Sequence, residues 1–316
     1  MLRTIFVMIL GFFLLVKGAD FLVDGAEDLA KKFHLSEMMI GILIVGIGTS
    51  LPEIIVTIYS AIEGKSDILL GNGIGSTICN SLLVIGIASI CKPVKIDERI
   101  LKIHLPISIL SIILLTIFCN LGKGFNQITR IESVFLIIYT IGYILYTIYE
   151  SRQETKELVE EKSNKKSNLK IFILVLIGIV FLKYGADFVV NSATKIANDL
   201  NISEGVISIT IVAVGTALPE IITSIIAAIN KKSDLALGNI IGSNIFNICL
   251  LPGIGGLINP IKFDTSFNIS LVFLLLIVIE MVIIQKLDKK YLIERKKGVA
   301  LGLIYVLYTV KLFVTG

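Results

Sequence analysis

Long apolar stretches separated by short polar breaks follow one another along almost the whole chain. Each stretch is about 20 residues long, which is the length that a helix needs to cross roughly 30 Å of hydrocarbon. The alternation of apolar and polar positions that marks the strands of a membrane barrel is absent, so helices must satisfy the backbone in lipid. The pattern predicts ten transmembrane helices, at about 2–23, 38–62, 67–91, 102–121, 131–149, 169–192, 205–229, 234–258, 266–286 and 298–315.

The composition favours the same fold class, an all-α membrane protein. Of the 316 residues, 55% are hydrophobic and only 17% are charged. The mean hydropathy is +0.89, which corresponds to more apolar surface than one soluble core of this size buries. The first stretch contains Arg3 and continues into Lys17 and Asp20 without a small-residue cleavage site, so we expect it to be a membrane span.

Composition also excludes several function classes. The net charge of +4 does not indicate a nucleic-acid partner, because the basic residues are spread over loops without interleaved aromatic residues. The cysteines have no Cys-x-x-Cys spacing and lie mostly in apolar stretches, so we interpret them as small hydrophobic residues; they are Cys79, Cys91, Cys119 and Cys249. We therefore predict no bound cofactor, and no obligate protein partner is evident beside the lipid bilayer.

The distribution of basic residues predicts the orientation in the membrane. Most of the 29 Lys and Arg residues fall on one side of the ten predicted helices, notably in the stretches 92–102, 152–170 and 286–297. Cytoplasmic loops carry an excess of such residues. We therefore expect a multi-pass protein of the plasma (inner) membrane with both termini outside.

The two halves of the chain are copies of one another. A shift of 167 positions places Glu53 on Glu220, and about half of the positions in 11–87 are then identical to those in 178–254, without a gap. The charged stretch between the copies resembles a solvated linker. The sequence thus predicts a first five-helix repeat at 1–149, a cytoplasmic linker at 150–168 and a second five-helix repeat at 169–316.

An odd number of helices in each repeat determines how the copies are related. Five crossings bring the chain out on the opposite side of the membrane, so the second copy must be inverted relative to the first. Inverted repeats place equivalent segments face to face near the middle of the bilayer, which is where secondary transporters bind their substrates. The repeated carboxylates, Glu53 and Glu220, are expected to meet there.

The motif GTSLPE at 48–53 returns as GTALPE at 215–220. Proline removes a backbone donor and clashes with the preceding turn, so we expect the helix that carries Glu53 to be kinked or broken near residues 46–52. The break would release the carbonyls of Gly46 and Thr49. In the second copy it would release those of Ala213 and Thr216.

The chemistry of this motif favours a cation. Thr49 and Glu53 are four residues apart and share a helix face, which offers a hydroxyl, a carboxylate and carbonyls. Hard oxygen ligands suit Ca²⁺ and Na⁺. No Lys or Arg lies in 38–62 or 205–229 to balance the carboxylates, and a buried carboxylate is costly unless a cation or a proton accompanies it.

A second pair of motifs follows each carboxylate, GNGIGSTICN at 71–80 and GNIIGSNIFN at 238–247. Their glycines let helices approach closely. Ser76 and Asn80 are four residues apart on one face, as are Ser243 and Asn247. These side chains are expected to complete the walls of the site.

The paired motifs resemble those of the Ca²⁺/cation antiporter superfamily, and within it the prokaryotic sodium/calcium exchangers. The resemblance covers essentially the whole chain and implies an antiporter that exchanges Na⁺ for Ca²⁺, with a first and a sixth helix that slide across a fixed core. It implies that Glu53 and Glu220 bind Ca²⁺ with help from Thr49 and Thr216. The flanking Na⁺ sites and the middle of the pocket would be formed by Ser50, Ser76, Ser243, the carbonyls of Gly46 and Ala213, Asn80 and Asn247.

Two residues depart from the family pattern. Ala217 stands where the second motif usually has serine, so one Na⁺ site lacks a hydroxyl and the number of Na⁺ ions exchanged is open. Asn247 stands where aspartate is frequent, including in potassium-dependent relatives, which favours a potassium-independent exchanger.

Other functions remain as alternatives. A proton/calcium exchanger or a potassium-dependent sodium/calcium exchanger would use the same fold, but the hydroxyls of Ser50, Ser76 and Ser243 favour Na⁺ because a proton needs no coordination shell. An intramembrane enzyme would need a nucleophile with a base or a histidine-rich metal site, and neither is visible in the sequence. A passive channel is disfavoured by the inverted repeat.

Overall fold

The computed structural model describes residues 2–122, 125–157, 167–200, 213–288 and 291–315. Within these ranges the chain is helical apart from short loops and four two-residue strands. The helices are α1 (Leu2–Phe33), α2 (Glu37–Thr49), α3 (Leu51–Ile62), α4 (Ser66–Cys91), α5 (Ile100–Leu121), α6 (Arg130–Glu157), α7 (Asn168–Asp199), α8 (Ala213–Thr216), α9 (Leu218–Ile229), α10 (Ser233–Ile258), α11 (Phe267–Asp288) and α12 (Arg295–Thr315).

Seven of the described helices are long and apolar enough to cross a membrane, namely α1, α4, α5, α6, α7, α10 and α11. The pair α2 and α3 meets the same criterion when taken together, with a bend of 52° between the two helices. The protein is therefore an all-helical, multi-pass membrane protein. The predicted helix at 205–229 lies partly outside the described residues, and α9 covers its second half. The count of ten stays a prediction.

The helix breaks predicted from the two prolines are present. Helix α2 ends at Thr49 and α3 begins at Leu51, with Pro52 in its first turn. Helix α9 likewise begins at Leu218, with Pro219 in its first turn. Proline is well placed there because the first N–H groups of a helix have no intrahelical acceptor. The chain thus starts a new helix immediately before each copy of the repeated Pro-Glu pair.

In the described ranges, four π-helical turns interrupt the long helices, at Gly41–Val45, Asn80–Val84, Ile100–His104 and Phe246–Leu250. Such turns insert one extra residue into the helix and occur frequently at functional sites. One of them begins at Asn80 and another contains Asn247. The sequence pattern did not predict these turns, because their apolar spacing does not differ from that of an α-helix.

Two short antiparallel ribbons join loops that are distant in the sequence. Strand β1 (Val94–Lys95) pairs with β4 (Leu292–Ile293), and β2 (Gln127–Ile128) pairs with β3 (Ile261–Lys262). The shift that relates the halves of the chain also places β1 on β3. Each ribbon therefore consists of one strand from the first half of the chain and one strand from the second half.

Close backbone contacts at glycines bring the central helices together. A Cβ atom at Gly242 of α10 would lie 2.7 Å from the carbonyl oxygen of Ile42 in α2. A Cβ atom at Gly73 of α4 would lie 2.6 Å from the carbonyl oxygen of Asn247 in α10. No larger residue fits at these positions without movement of the backbone. The glycine-rich motifs therefore hold α2, α4 and α10 at the distance that the site requires.

Helices α1 and α7 pack along one another outside this core. Their contact also depends on glycines: a Cβ atom at Gly178 would lie 2.7 Å from the backbone nitrogen of Leu22, and one at Gly18 would lie 2.8 Å from that of Leu182. These two helices contain the first and sixth predicted spans. They form one closely packed pair.

Candidate ion-binding site

Glu53 and Glu220 occupy equivalent places in the first turns of α3 and α9. Both residues are only 1% exposed, and their carboxylates are close enough for their charges to interact. In each carboxylate the Oε2 atom has no hydrogen-bond partner among the described residues. A buried carboxylate with a free oxygen requires a cation or a proton. The structure thus brings the two acids close together in a buried region.

Serine hydroxyls connect the two halves of the site. The Ser50 hydroxyl lies 3.3 Å from Glu220 Oε1 and 3.0 Å from the hydroxyl of Ser243. The Ser243 hydroxyl in turn donates to the carbonyl oxygen of Gly46, at 3.3 Å. Each hydroxyl has one proton, so these contacts cannot all be satisfied at once and leave oxygen lone pairs available to a cation.

Two further hydroxyls lie at the carboxylates. The Thr49 hydroxyl donates to Asn239 Oδ1 at 3.0 Å and also lies near the Glu220 carboxylate. On the other side, the Ser76 side chain lies within hydrogen-bonding reach of Glu53. Both hydroxyls are buried. The structure thus places Thr49 beside Glu220 and Ser76 beside Glu53.

Asn80 and Asn247 complete the buried polar surface. Both are 1% exposed, and neither Oδ1 atom has a hydrogen-bond partner among the described residues. Of eight such buried side-chain atoms, seven belong to α3, α4, α9 and α10; they are Glu53 Oε2, Thr57 Oγ1, Asn80 Oδ1, Glu220 Oε2, Thr223 Oγ1, Asn244 Oδ1 and Asn247 Oδ1. Buried polar groups are normally paired. Their concentration in the four repeat helices indicates a site for ligands that supply the missing partners.

The expected release of the Gly46 carbonyl by the helix break is wrong. This carbonyl accepts the backbone N–H of Ser50 at 3.1 Å, in addition to the Ser243 hydroxyl. The physical reason is the register of the helix: the donor that Pro52 lacks would have reached the residue four positions earlier, which is Gly48. Gly46 nevertheless borders the site, through its contact with Ser243.

The second half of the site is described less completely. Thr216 ends α8, and Ala213 is its first residue. Residues 201–212 lie outside the described ranges, and so does the side chain of Ala213. Ala217 is buried at 1% exposure and follows Thr216 at the helix break. The methyl group of Ala217 thus occupies the place that the Ser50 hydroxyl holds in the first half.

Asn239 and Ser224 are polar site neighbours that the sequence analysis did not single out. Asn239 is fully buried and donates from Nδ2 to the Ser224 hydroxyl at 3.1 Å, while its Oδ1 accepts from Thr49. The signal was available in the repeated Gly-Asn pair that opens each glycine-rich motif, since Asn72 is the equivalent residue in the first half. Spacing alone could not show which side chain it contacts.

Comparisons with known proteins agree with this arrangement. The family model described as sodium/calcium exchanger protein matches residues 3–149 and 170–314. An uncharacterised membrane protein of Methanocaldococcus jannaschii is 35% identical over 301 residues, which cover 95% of this chain and 94% of the relative. The sodium/calcium exchanger MaX1 of Methanosarcina acetivorans is 31% identical, with 97% of both chains covered. A solved structure of the sodium-calcium exchanger NCX_Mj, soaked with zero Na⁺ and Ca²⁺, has a TM-score of 0.84 at 31% identity and 98% coverage of each chain.

Proposed function

The chain belongs to the sodium/calcium exchanger protein family, and on that basis we propose that it exchanges Na⁺ for Ca²⁺ across the cell membrane by alternating access. It is a transporter and not an enzyme. Na⁺ and Ca²⁺ are its substrates. The observation that carries the proposal is the pair of buried carboxylates, each with one free oxygen, at the first turns of α3 and α9.

Charge balance explains how such a site couples two ions. Two carboxylates carry the charge that one Ca²⁺ neutralises, and the remaining polar groups around them are neutral. When Ca²⁺ leaves, the two carboxylates have no partner. Closing the site around them, which must happen before it can open to the other side of the membrane, is then costly until Na⁺ ions replace Ca²⁺. Exchange is thus favoured over the return of an empty site.

The assignment of individual ligands is part of the proposal. Glu53 and Glu220 hold Ca²⁺, with Thr49 and Thr216 beside them. Na⁺ ions bind at the flanking oxygens, and the two asparagine oxygens line the middle of the site. These flanking and central groups are Ser50, Ser76, Ser243, the carbonyls of Gly46 and Ala213, Asn80 and Asn247.

The architecture that we infer is ten helices in two inverted repeats, 1–149 and 169–316, joined by a cytoplasmic linker at 150–168. The ribbons support it, because β1 and β4 belong to loops assigned to the cytoplasmic side, and β2 and β3 to loops assigned to the outer side. The protein then resides in the plasma (inner) membrane with both termini outside. The α1 and α7 pair moves across the core to open the site to either side.

Replacement of one carboxylate tests the function directly. Glu53→Gln or Glu220→Gln removes one of the two charges that balance Ca²⁺, so we expect loss of Na⁺-driven Ca²⁺ uptake into proteoliposomes, by at least about 100-fold. Glu280→Gln is the matched control, because Glu280 is an exposed carboxylate of α11. Parental uptake by either site variant would contradict the assignment.

The choice of counter-ion is tested in the same vesicles. With the pH on both sides clamped by an ionophore, an outward Na⁺ gradient should drive Ca²⁺ uptake, and a K⁺ gradient should have no effect. Uptake that ignores Na⁺ under the clamp but follows a pH gradient once the ionophore is left out would identify a proton/calcium exchanger. Uptake that requires K⁺ with Na⁺ would identify a potassium-dependent exchanger.

A further inference from the structure

We propose that Asn239 is a positioning residue for the transported ion, because it takes up the hydroxyl proton of Thr49 and so turns the oxygen lone pairs of Thr49 toward the cation. This inference rests on the proposed function. It concerns a residue of α10 that contacts a ligand residue at the end of α2 rather than the ion itself.

Asn239 is held at both ends of its amide group. Its Oδ1 accepts from the Thr49 hydroxyl at 3.0 Å, and its Nδ2 donates to the Ser224 hydroxyl of α9 at 3.1 Å. All three side chains are buried. In this orientation the amide presents an acceptor to Thr49 and an N–H donor to Ser224, whereas a half-turn would present N–H donors to Thr49 instead.

A hydroxyl can bind a cation only through its oxygen, so its single proton must point elsewhere. Near Thr49 the proton has three acceptors: Asn239 Oδ1 at 3.0 Å, the Gly46 carbonyl at 3.4 Å and the Glu220 carboxylate. The Gly46 carbonyl already accepts from a backbone N–H.

The Glu220 carboxylate cannot serve as acceptor and bind the ion with the same lone pairs. When a cation occupies the site, Asn239 is therefore the best remaining acceptor. Without it, the Thr49 proton competes with the cation for Glu220, and binding weakens.

The equivalent asparagine of the first half supplies a matched control. Asn72 aligns with Asn239 in the repeat, but its Nδ2 donates to the backbone carbonyl of Glu53, at 3.2 Å. Its contact therefore supports the backbone of a carboxylate residue and involves no hydroxyl. The effect of an Asn72 substitution on Ca²⁺ uptake should therefore be the same whether or not Thr49 carries its hydroxyl.

The test is a double-mutant cycle measured as Na⁺-dependent Ca²⁺ uptake by the full chain in proteoliposomes. Asn239→Leu and Asn72→Leu are each made in the parent and in a Thr49→Val background. We expect Asn239→Leu to raise the KM for Ca²⁺ about five- to tenfold in the parent with a smaller change in maximal rate, as for loss of one buried hydrogen bond. In the Thr49→Val background it should add less than about twofold, whereas Asn72→Leu should act equally in both.

An equal effect of Asn239→Leu in both backgrounds would overturn the inference and leave the proposed function standing. A Thr49→Val variant with parental KM would instead overturn the assignment of Thr49 as a ligand, and with it the inference. If Asn239→Leu does not fold, Ser224→Ala replaces it, because it removes the hydrogen-bond partner of the Asn239 amide nitrogen. Its increase in KM must likewise vanish in the Thr49→Val background, and an increase that persists would refute the proposal.

Discussion

Glu53 and Glu220 are the two formal charges of a site whose other members are hydroxyls, amides and carbonyls. A neutral oxygen contributes less to cation binding than a carboxylate, but its position selects between ions that differ in coordination number. In the proposed assignment this role falls, in the first half, to the Ser50 hydroxyl, which contacts both Glu220 and Ser243. The second half has Ala217 at that place, so the two halves offer unequal sites for a monovalent ion.

This inequality predicts the effect of restoring the hydroxyl. Ala217→Ser should lower the Na⁺ concentration that half-saturates exchange by roughly threefold to tenfold, the effect of one additional polar contact. The measurement is the Na⁺ dependence of Ca²⁺ flux at constant membrane potential. A change in its Hill coefficient would show in addition that the hydroxyl completes a further Na⁺ site.

A matched control separates this effect from that of a buried hydroxyl in general. Ala227→Ser lies in α9, the helix that Ala217 precedes, and Ala227 is as buried as Ala217. Ala227, however, belongs to the apolar cluster that contains Ala26 and Leu235. Ala227→Ser should leave the Na⁺ dependence unchanged. An identical Na⁺ dependence of Ala217→Ser and the parent would mean that another group already replaces the missing ligand.

At the scale of helices, the contact between α1 and α7 depends on glycines at the crossing points. A Cβ atom at Gly178 would lie 2.7 Å from the backbone nitrogen of Leu22 and 2.9 Å from the carbonyl oxygen of Gly18. Gly178→Ala must therefore push the two backbones apart. We expect a loss of about 1–3 kcal/mol of stability, visible as a lower midpoint of thermal unfolding in detergent, and a lower transport rate because the pair no longer moves together.

The control for this substitution is another glycine within a membrane helix. A Cβ atom at Gly142 of α6 would meet nothing within 4 Å. Gly142→Ala should keep the parental midpoint or raise it, because alanine favours a helix more than glycine does. A midpoint of Gly178→Ala as high as that of Gly142→Ala would show that the close contact does not constrain the pair.

The helix breaks could be predicted from the sequence because proline acts locally. Pro52 and Pro219 lack a backbone donor wherever they lie, and each one falls in the first turn of a new helix. The released carbonyl was assigned incorrectly at Gly46, because that depends on the helix register at the break. The contact between Asn239 and Thr49 could not be predicted at all, because it joins side chains of two different helices and is set by their packing.

At the scale of the whole molecule, the ion pairs of the described residues do not follow the sequence repeat. Lys232, between α9 and α10, forms an ion pair with Glu27 of α1, which also binds Lys31. The residue that aligns with Lys232 is Lys65, and the one that aligns with Glu27 is Thr194. Lys65 contacts Glu63 of its own turn instead, at 3.7 Å. Among the described residues, Lys232 thus ties α1 to the core on the predicted cytoplasmic side, whereas the aligned Lys65 contacts a neighbour in sequence.

This asymmetry predicts that the Glu27 pair biases the position of α1. The Lys232 side chain is only 12% exposed, so the pair is screened less than one in free solution. We expect the cytoplasmic end to open more often in Glu27→Gln. The readout is a cysteine introduced by Ala236→Cys beneath the pair, in a background without native cysteines. This cysteine should be labelled about two- to fivefold faster in Glu27→Gln.

Glu63→Gln breaks the exposed pair on the outer side and should leave the labelling rate unchanged. Because α1 and α7 pack as one body, a bias at the cytoplasmic end of α1 is a bias of the whole transporter, and Glu27→Gln should also lower the KM for Ca²⁺ on that side. Equal labelling rates in the two variants would show that the pair is a surface contact without influence on alternating access.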